Sequence, residues 1–173
     1  MTTQWRDGHP PALGARLRPM VPADLAGVLA LERDLFPEDP WSEQMFAEEV
    51  AAPPDSRMYL VAETGSPPPA PGGRELAGYA GMMFVPSGVQ ADVLTIAVAR
   101  AYWGRGIGSA LLGTLLEAAA GRGCTEVFLE VRKDNPRART LYQRRGFEEI
   151  GVRRGYYQPS GVDAIVMRKD LRR

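Results

Sequence analysis

Histidine and cysteine are nearly missing from this chain. His9 is the single histidine, in a Pro/Gly-rich opening stretch, and Cys124 is the single cysteine. One cysteine can form neither an internal disulfide nor a thiolate zinc site. Catalysis that needs a packed imidazole is set aside with the missing histidines. No apolar run approaches the roughly 20 residues of a membrane span. The opening MTTQWRDGHP lacks the basic, apolar and small-residue order of a secretory signal. The expectation is a cytoplasmic protein with no membrane partner. Net charge is also missing, since 21 Lys and Arg balance 21 Asp and Glu.

That balance hides a segregation. From Arg132 to Arg173 there are twelve basic and five acidic residues, whereas from Met20 to Glu63 there are two basic and ten acidic ones. Two solvated faces would account for this. So would a basic half that meets phosphates and an acidic half that meets a cationic substrate. At 173 residues, with 45% hydrophobic and 24% charged residues, the chain suits one folded domain.

Residues 1–13 read as a flexible tail and 14–173 as the domain. A short strand is expected over 14–19. Asp24 is placed to cap a helix whose apolar stripe is Leu25, Val28, Leu29, Leu35 and Phe36, and Ser42 to cap a second over SEQMFAEEV. Strands follow at 57–63, 75–85 and 89–98, the first two joined by the Pro/Gly-rich loop 65–73. A helix with Ile107, Leu111, Leu112, Leu115 and Leu116 on one side ends near Gly121 or Gly123. A strand at 125–131, a helix begun by Asn135 and Pro136 and stopped by Gly146, and strands at 147–152 and 163–168 complete the chain. An antiparallel meander followed by a strand–helix–strand crossover makes an α+β fold with a mixed sheet.

The stretch ARAYWGRGIGSALL (99–112) carries glycines at 104, 106 and 108 immediately before a helix. Glycines permit sharp turns and close backbone approach, and a helix start offers free N–H groups to an anion. Three phosphate ligands compete for it. A dinucleotide fold would use Glu130 about twenty residues on, but Leu111 or Ser109 stands where its third small residue belongs, and there is no room for a second nucleotide-binding half. A Walker loop needs Gly-Lys-Ser/Thr, which is absent.

The third candidate is coenzyme A. Trp103-Gly104-Arg105-Gly106-Ile107-Gly108 resembles the Gln/Arg-x-x-Gly-x-Gly/Ala loop of the GNAT superfamily of N-acetyltransferases, with Trp103 at the start in place of Gln or Arg. FPEDPWSEQMF (36–46), TIAVARAYWGRGIGSALL (95–112), LEVRKDNPRARTLYQRRGF (129–147) and RRGYY with DAIVM (153–167) together resemble the RimI-type branch. That branch acetylates the N-terminal amine of a small-subunit ribosomal protein. Val162 stands where the branch usually has an acid.

The resemblance implies a GNAT-like, mostly antiparallel sheet of about seven strands flanked by about four helices. It implies acetyl-CoA as co-substrate, no metal, and a protein N-terminus, that of a ribosomal protein, as partner. Related enzymes can also associate with the tRNA-modification machinery. By resemblance Glu130 is the general base and Tyr142 the general acid. Ile96, Ala97 and Val98 would pair with the pantetheine arm, and Asn135 would contact it. Gly104, Arg105, Gly106, Ile107, Gly108 and Ser109 would hold the diphosphate, and Trp41, Tyr156 and Tyr157 would line the peptide channel.

The residues taken alone leave alternatives. Glu130, near the end of a buried strand, would have its pKa raised by desolvation, or would be a surface partner of Arg132 or Lys133. Tyr142 beside Ala138 and Leu141 reads equally as a packing residue, Asn135 as a helix cap, and Cys124 as a small buried residue. An α-amine, with a pKa of about 7.7–8.0 against about 10.4 for lysine, asks less of a base. Other readings remain: a GNAT enzyme acting on lysine or a small amine, a non-catalytic acyl-CoA-binding or assembly partner, and an RNA-binding module. The last lacks any aromatic–basic RNA motif, so no direct nucleic-acid binding is expected.

Overall fold

The computed structural model describes residues 14–64, 75–86 and 88–172. The expected tail and the 65–73 loop lie outside the described residues. Seven strands form one sheet: β1 (Ala15–Pro19), β2 (Arg57–Thr64), β3 (Leu76–Phe84), β4 (Gln90–Val98), β5 (Glu126–Arg132), β6 (Glu148–Arg153) and β7 (Ala164–Asp170). Their order is β1-β2-β3-β4-β5-β7-β6. The β4–β5 pair is parallel and the other pairs are antiparallel, as a meander joined to a crossover requires.

Among the described residues four α-helices cover the sheet: α1 (Leu25–Leu35), α2 (Glu43–Ala51), α3 (Ile107–Gly121) and α4 (Pro136–Arg144). Leu111, Leu112 and Leu115 of α3 are fully buried in one core, with Tyr142 and Phe147 from the α4 segment and Val127, Leu129 and Val131 of β5. Each such leucine contributes about 2 kcal/mol by leaving water. The opposite core gathers Val28 and Leu29 of α1, Phe46 of α2, and Tyr59, Val61 and Tyr79 from the sheet. Strands β2 and β3 are covered on both faces, which is why RMYLVAET and LAGYAGMMF read as nearly continuous apolar runs.

Local signals act largely as expected. The Ser42 hydroxyl accepts the Met45 N–H at 3.2 Å, and the Asn135 side chain accepts the Ala138 N–H at 3.1 Å with Pro136 in the first turn. Asp24 corrects its expectation. It already has helical backbone angles and makes no cap, because Pro22–Asp24 form a 3-10 turn ahead of α1. Its carboxylate instead accepts the Val21 N–H at 2.8 Å and a two-pronged contact from Arg18 at 2.7 Å on each oxygen.

The feature that shapes the molecule lies in β4. Its parallel pairing with β5 runs from Gln90↔Glu126 to Val93↔Leu129 and stops there. At the same point its register with β3 slips: Gly81 faces Thr95 while Met82 faces Val93, leaving Leu94 as a bulge. Beyond it β4 stays with β3, and β5 stays with β7 as far as Arg132↔Ala164, so the sheet parts between them.

Gly81 beside the bulge has no room for a side chain. A Cβ there would stand 2.6 Å from Cζ and 2.7 Å from Cδ1 of Tyr59, a ring held at its hydroxyl by Glu49 at 2.9 Å. Gly81→Ala is expected to cost about 1–3 kcal/mol in urea unfolding. An unchanged midpoint would show that the ring yields freely.

Candidate active site

The cleft at the parting of β4 and β5 is lined from both faces of the sheet. Val93, Leu94, Thr95 and Ile96 form one wall, and Glu130, Val131 and Arg132 the other. Asn135, Ala138 and Tyr142 close it on the α4 side, and Glu32, Phe36, Asp39, Trp41 and Tyr157 on the α1 side. Glu130 and Tyr142, 12 positions apart in sequence and on opposite faces of the sheet, thus share one opening.

Glu130 stands part-exposed at the opening. Its side chain keeps 29% of its exposure and accepts a hydrogen bond from Arg153 at 3.1 Å. Neither Arg132 nor Lys133 is its partner: Arg132 binds other acids and Lys133 pairs with Asp163. Alternation along β5 explains this. Val127, Leu129 and Val131 enter the α3 core, and Glu126, Phe128, Glu130 and Arg132 face the other way. Tyr142 is buried, its ring edge-on to Phe147 at 5.9 Å between centroids. Burial pushes its phenol well above the ordinary tyrosine value, so the hydroxyl keeps its proton at neutral pH.

On β4, the Ala99 N–H donates to Ala77 O at 2.8 Å. Antiparallel alternation from that bond turns the backbone groups of Ala97 toward β3 and those of Ile96 and Val98 toward the cleft. Ala97, expected to pair with a ligand, is therefore spent on the sheet. The Val98 carbonyl is taken by the Trp103 indole N–H at 2.7 Å, which leaves the Ile96 groups and the Val98 N–H facing the opening.

The glycine turn divides its labour. Gly104 and Gly106 have φ of +76° and +83°, which favours glycine, and Gly106 precedes α3. Gly108 is already helical, and its role is close packing: a Cβ there would lie 3.4 Å from Leu141 and 3.5 Å from Val98 side-chain atoms. Ala110 is the first residue of α3 to bond back, to Gly106 O at 2.9 Å, so the N–H groups of Ile107, Gly108 and Ser109 precede the helical ladder. The Ile107 side chain is buried, so only its backbone faces outward. The Ser109 hydroxyl is engaged by Arg145 at 2.6 and 2.9 Å, and Ser109 offers its N–H alone. Arg105 lies over Tyr102 at 5.0 Å, and Arg137 and Arg100 flank Trp103 at 4.0 and 5.3 Å. Free backbone donors and nearby guanidinium groups fit a diphosphate.

On the α1 side, Trp41 and Tyr157 line the cleft. Tyr156 does not. It is 44% exposed and stands edge-on to Tyr157 with Arg153 above it. Val162 contributes through its backbone, accepting the Tyr157 N–H at 3.1 Å. Among the described residues no cluster of His, Cys, Asp or Glu is placed to hold a metal ion, and no helix is long and apolar enough to cross a membrane.

Sequence reasoning overlooked Glu32. This acid, 2% exposed, lines the cleft, accepts the Trp41 N–H at 2.8 Å and takes the Tyr79 hydroxyl. Its signal was present: it falls three and four positions after Leu29 and Val28, on the buried stripe of α1.

A model described as the acetyltransferase (GNAT) family matches residues 25–147. The chain is 40% identical over 167 residues to N-alpha-acetyltransferase RimI of Mycobacterium tuberculosis, covering 95% of each. The crystal structure of the ribosomal-protein-S18-alanine N-acetyltransferase from Escherichia coli superposes with a TM-score of 0.73 at 28% identity, over 91% of this chain and 94% of that one. Arabidopsis thaliana NAA60 in complex with acetyl-CoA shares the fold, with a TM-score of 0.78 at 23% identity over 92% of this chain and 99% of that one.

Burial raises the Glu32 carboxyl above the ordinary glutamate value, with the Tyr79 and Trp41 donors opposing part of the rise. Above the unfolded value, about 4.3, the native state keeps a proton that the unfolded chain has lost, so this group lowers stability as pH rises. Glu32→Gln does not titrate. As pH rises above about 4.3, wild type is expected to lose thermal stability relative to that variant. A pH-independent difference in melting temperature would contradict the assignment.

Proposed function

The chain belongs to the acetyltransferase (GNAT) family, and from that premise we propose that it transfers acetyl from acetyl-CoA to the N-terminal α-amine of a protein, an alanine-initiated ribosomal protein of the small subunit. The observation that carries this reading is the shared cleft, where a carboxylate, a protonated phenol and free β4 backbone groups converge where the sheet parts. The substrate class rests on the relatives: RimI carries N-alpha-acetyltransferase in its name, and the Escherichia coli protein acts on S18 alanine.

Bound acetyl-CoA supplies an acyl thioester, whose diphosphate suits the first turn of α3 and the glycines before it. The Ile96 groups and the Val98 N–H offer strand-like pairing along the edge that β5 leaves open. Glu130 accepts the proton that the amine loses as its nitrogen bonds to the acyl carbon. Backbone N–H groups of the opened edge meet the negative charge growing on the acyl oxygen. Tyr142 gives its proton to sulfur as the carbon–sulfur bond breaks. The products are an amide and a free thiol, with no acyl-enzyme between them. Trp41 and Tyr157 border the amine side, and Tyr156 supports Tyr157 from outside the cleft.

A synthetic peptide beginning with alanine is expected to be acetylated at its terminal amine, and the same peptide with a blocked terminus and an internal lysine is not. Glu130→Gln and Tyr142→Phe are each expected to lower kcat by about 100-fold or more while still binding acetyl-CoA in calorimetry. Acetylation of the blocked peptide would move the substrate class to lysine, and undiminished turnover in either variant would remove that residue's role.

A further inference from the structure

Arg132 stands two residues beyond Glu130 on the same face of β5, and its side chain is 15% exposed. It donates to Glu38 at 2.9 Å and to Asp39, both in the connection 36–42 between α1 and α2. It also donates to both oxygens of Asp134 at 2.9 Å, and it lies 5.4 Å over the Tyr157 ring. Asp39 in turn accepts the Ser160 N–H at 3.1 Å and the Ser160 hydroxyl at 2.7 Å. One planar fork therefore joins β5 to the connection that carries Trp41 and, through Asp39, to the segment 154–163 that carries Tyr157. These are the two aromatics that border the amine side of the cleft.

We propose that Arg132 is a positioning residue for the peptide. It clasps the two substrate-side loops to the strand bearing Glu130, and so sets the width of the entrance and the approach of the amine to that carboxylate. This rests on the acetyl-transfer reading above. It assigns peptide recognition to a residue that need not touch the peptide. The glycine turn leads into α3, which packs in the other core, whereas the clasp is built from β5 and the segments 36–42 and 154–163, so the clasp governs one substrate and not the other. Lysine is a poor replacement, because a single ammonium cannot fork across three carboxylates.

The test measures steady-state kinetics on an alanine-initiated peptide, acetyl-CoA affinity by calorimetry, and amide hydrogen exchange, for wild type, Arg132→Ala, Arg132→Lys, Asp39→Asn and the double variant Arg132→Ala with Asp39→Asn. Arg132→Ala is expected to raise peptide KM about tenfold, with a smaller change in kcat and with acetyl-CoA affinity unchanged. Arg132→Lys should fall between it and wild type. Asp39→Asn should raise KM in the same way, and the double variant should add little, since both substitutions open one clasp. Exchange should quicken together in 36–42 and 154–163. Should Arg132→Ala fail to fold, as judged by circular dichroism, Arg132→Lys and Asp39→Asn carry the same comparison. Unchanged peptide KM, a parallel loss of acetyl-CoA affinity, or exchange confined to one loop would each overturn the clasp. If wild type leaves the peptide unmodified, the acetyl-transfer reading fails, and the exchange experiment still decides whether Arg132 joins the loops.

Discussion

Parallel pairing between β4 and β5 ends at Val93 and Leu129, and the rest of the site is arranged around that parting. A sheet that stayed closed would bury Glu130 beside β4 and use up the backbone groups of Ile96 and Val98. The Leu94 bulge turns β4 aside, while β7 keeps β5 straight through Arg132. Unpaired backbone is costly where it is buried and useful where a ligand can satisfy it. The opening is thus both the defect in the sheet and the place where two reactants can meet.

Part of the segregated charge along the chain meets at the rim of this opening. The acidic N-terminal stretch and the basic C-terminal stretch meet at Arg132, while Asp24, Asp34 and Glu49 pair with arginines outside the basic stretch. Glu38 and Asp39 bind Arg132, and Glu130 binds Arg153 within the C-terminal half. Each pair crosses between elements that the fold must hold in register around the cleft. The remaining guanidinium groups of Arg100, Arg105 and Arg137 rest on aromatic rings beside the glycine turn. Positive charge therefore gathers beside the glycine turn, although the chain as a whole is neutral.

Much of this was legible in the residues. The glycine turn, the caps at Ser42 and Asn135, the leucine face of α3 and the order of strands follow from local rules of spacing and conformation. The resemblance alone implies that Glu130 and Tyr142 share one site, and both line the cleft. What stayed hidden depends on partners distant in sequence. Asp24 reads as a cap until Arg18 and a preceding 3-10 turn claim it. Ala97 reads like its neighbours until the register with β3 shows which way its backbone turns. The Arg132 clasp joins positions more than 90 residues apart, and no periodicity reports such a meeting.

The bond between Arg145 and Ser109 has a mechanical consequence. It rivets the end of α4 to the first turn of α3, and Gly108 lets Leu141 seat closely against the same turn. Tyr142 is carried on that riveted helix. In the proposed function, the anchor for the coenzyme's far end and the proton source for its near end therefore belong to one stiff piece of protein. A handle gripped at one end fixes the reach of the other, so in that reading the span from the glycine turn to Tyr142 is gauged by the body of the enzyme and does not depend on how the entrance loops move.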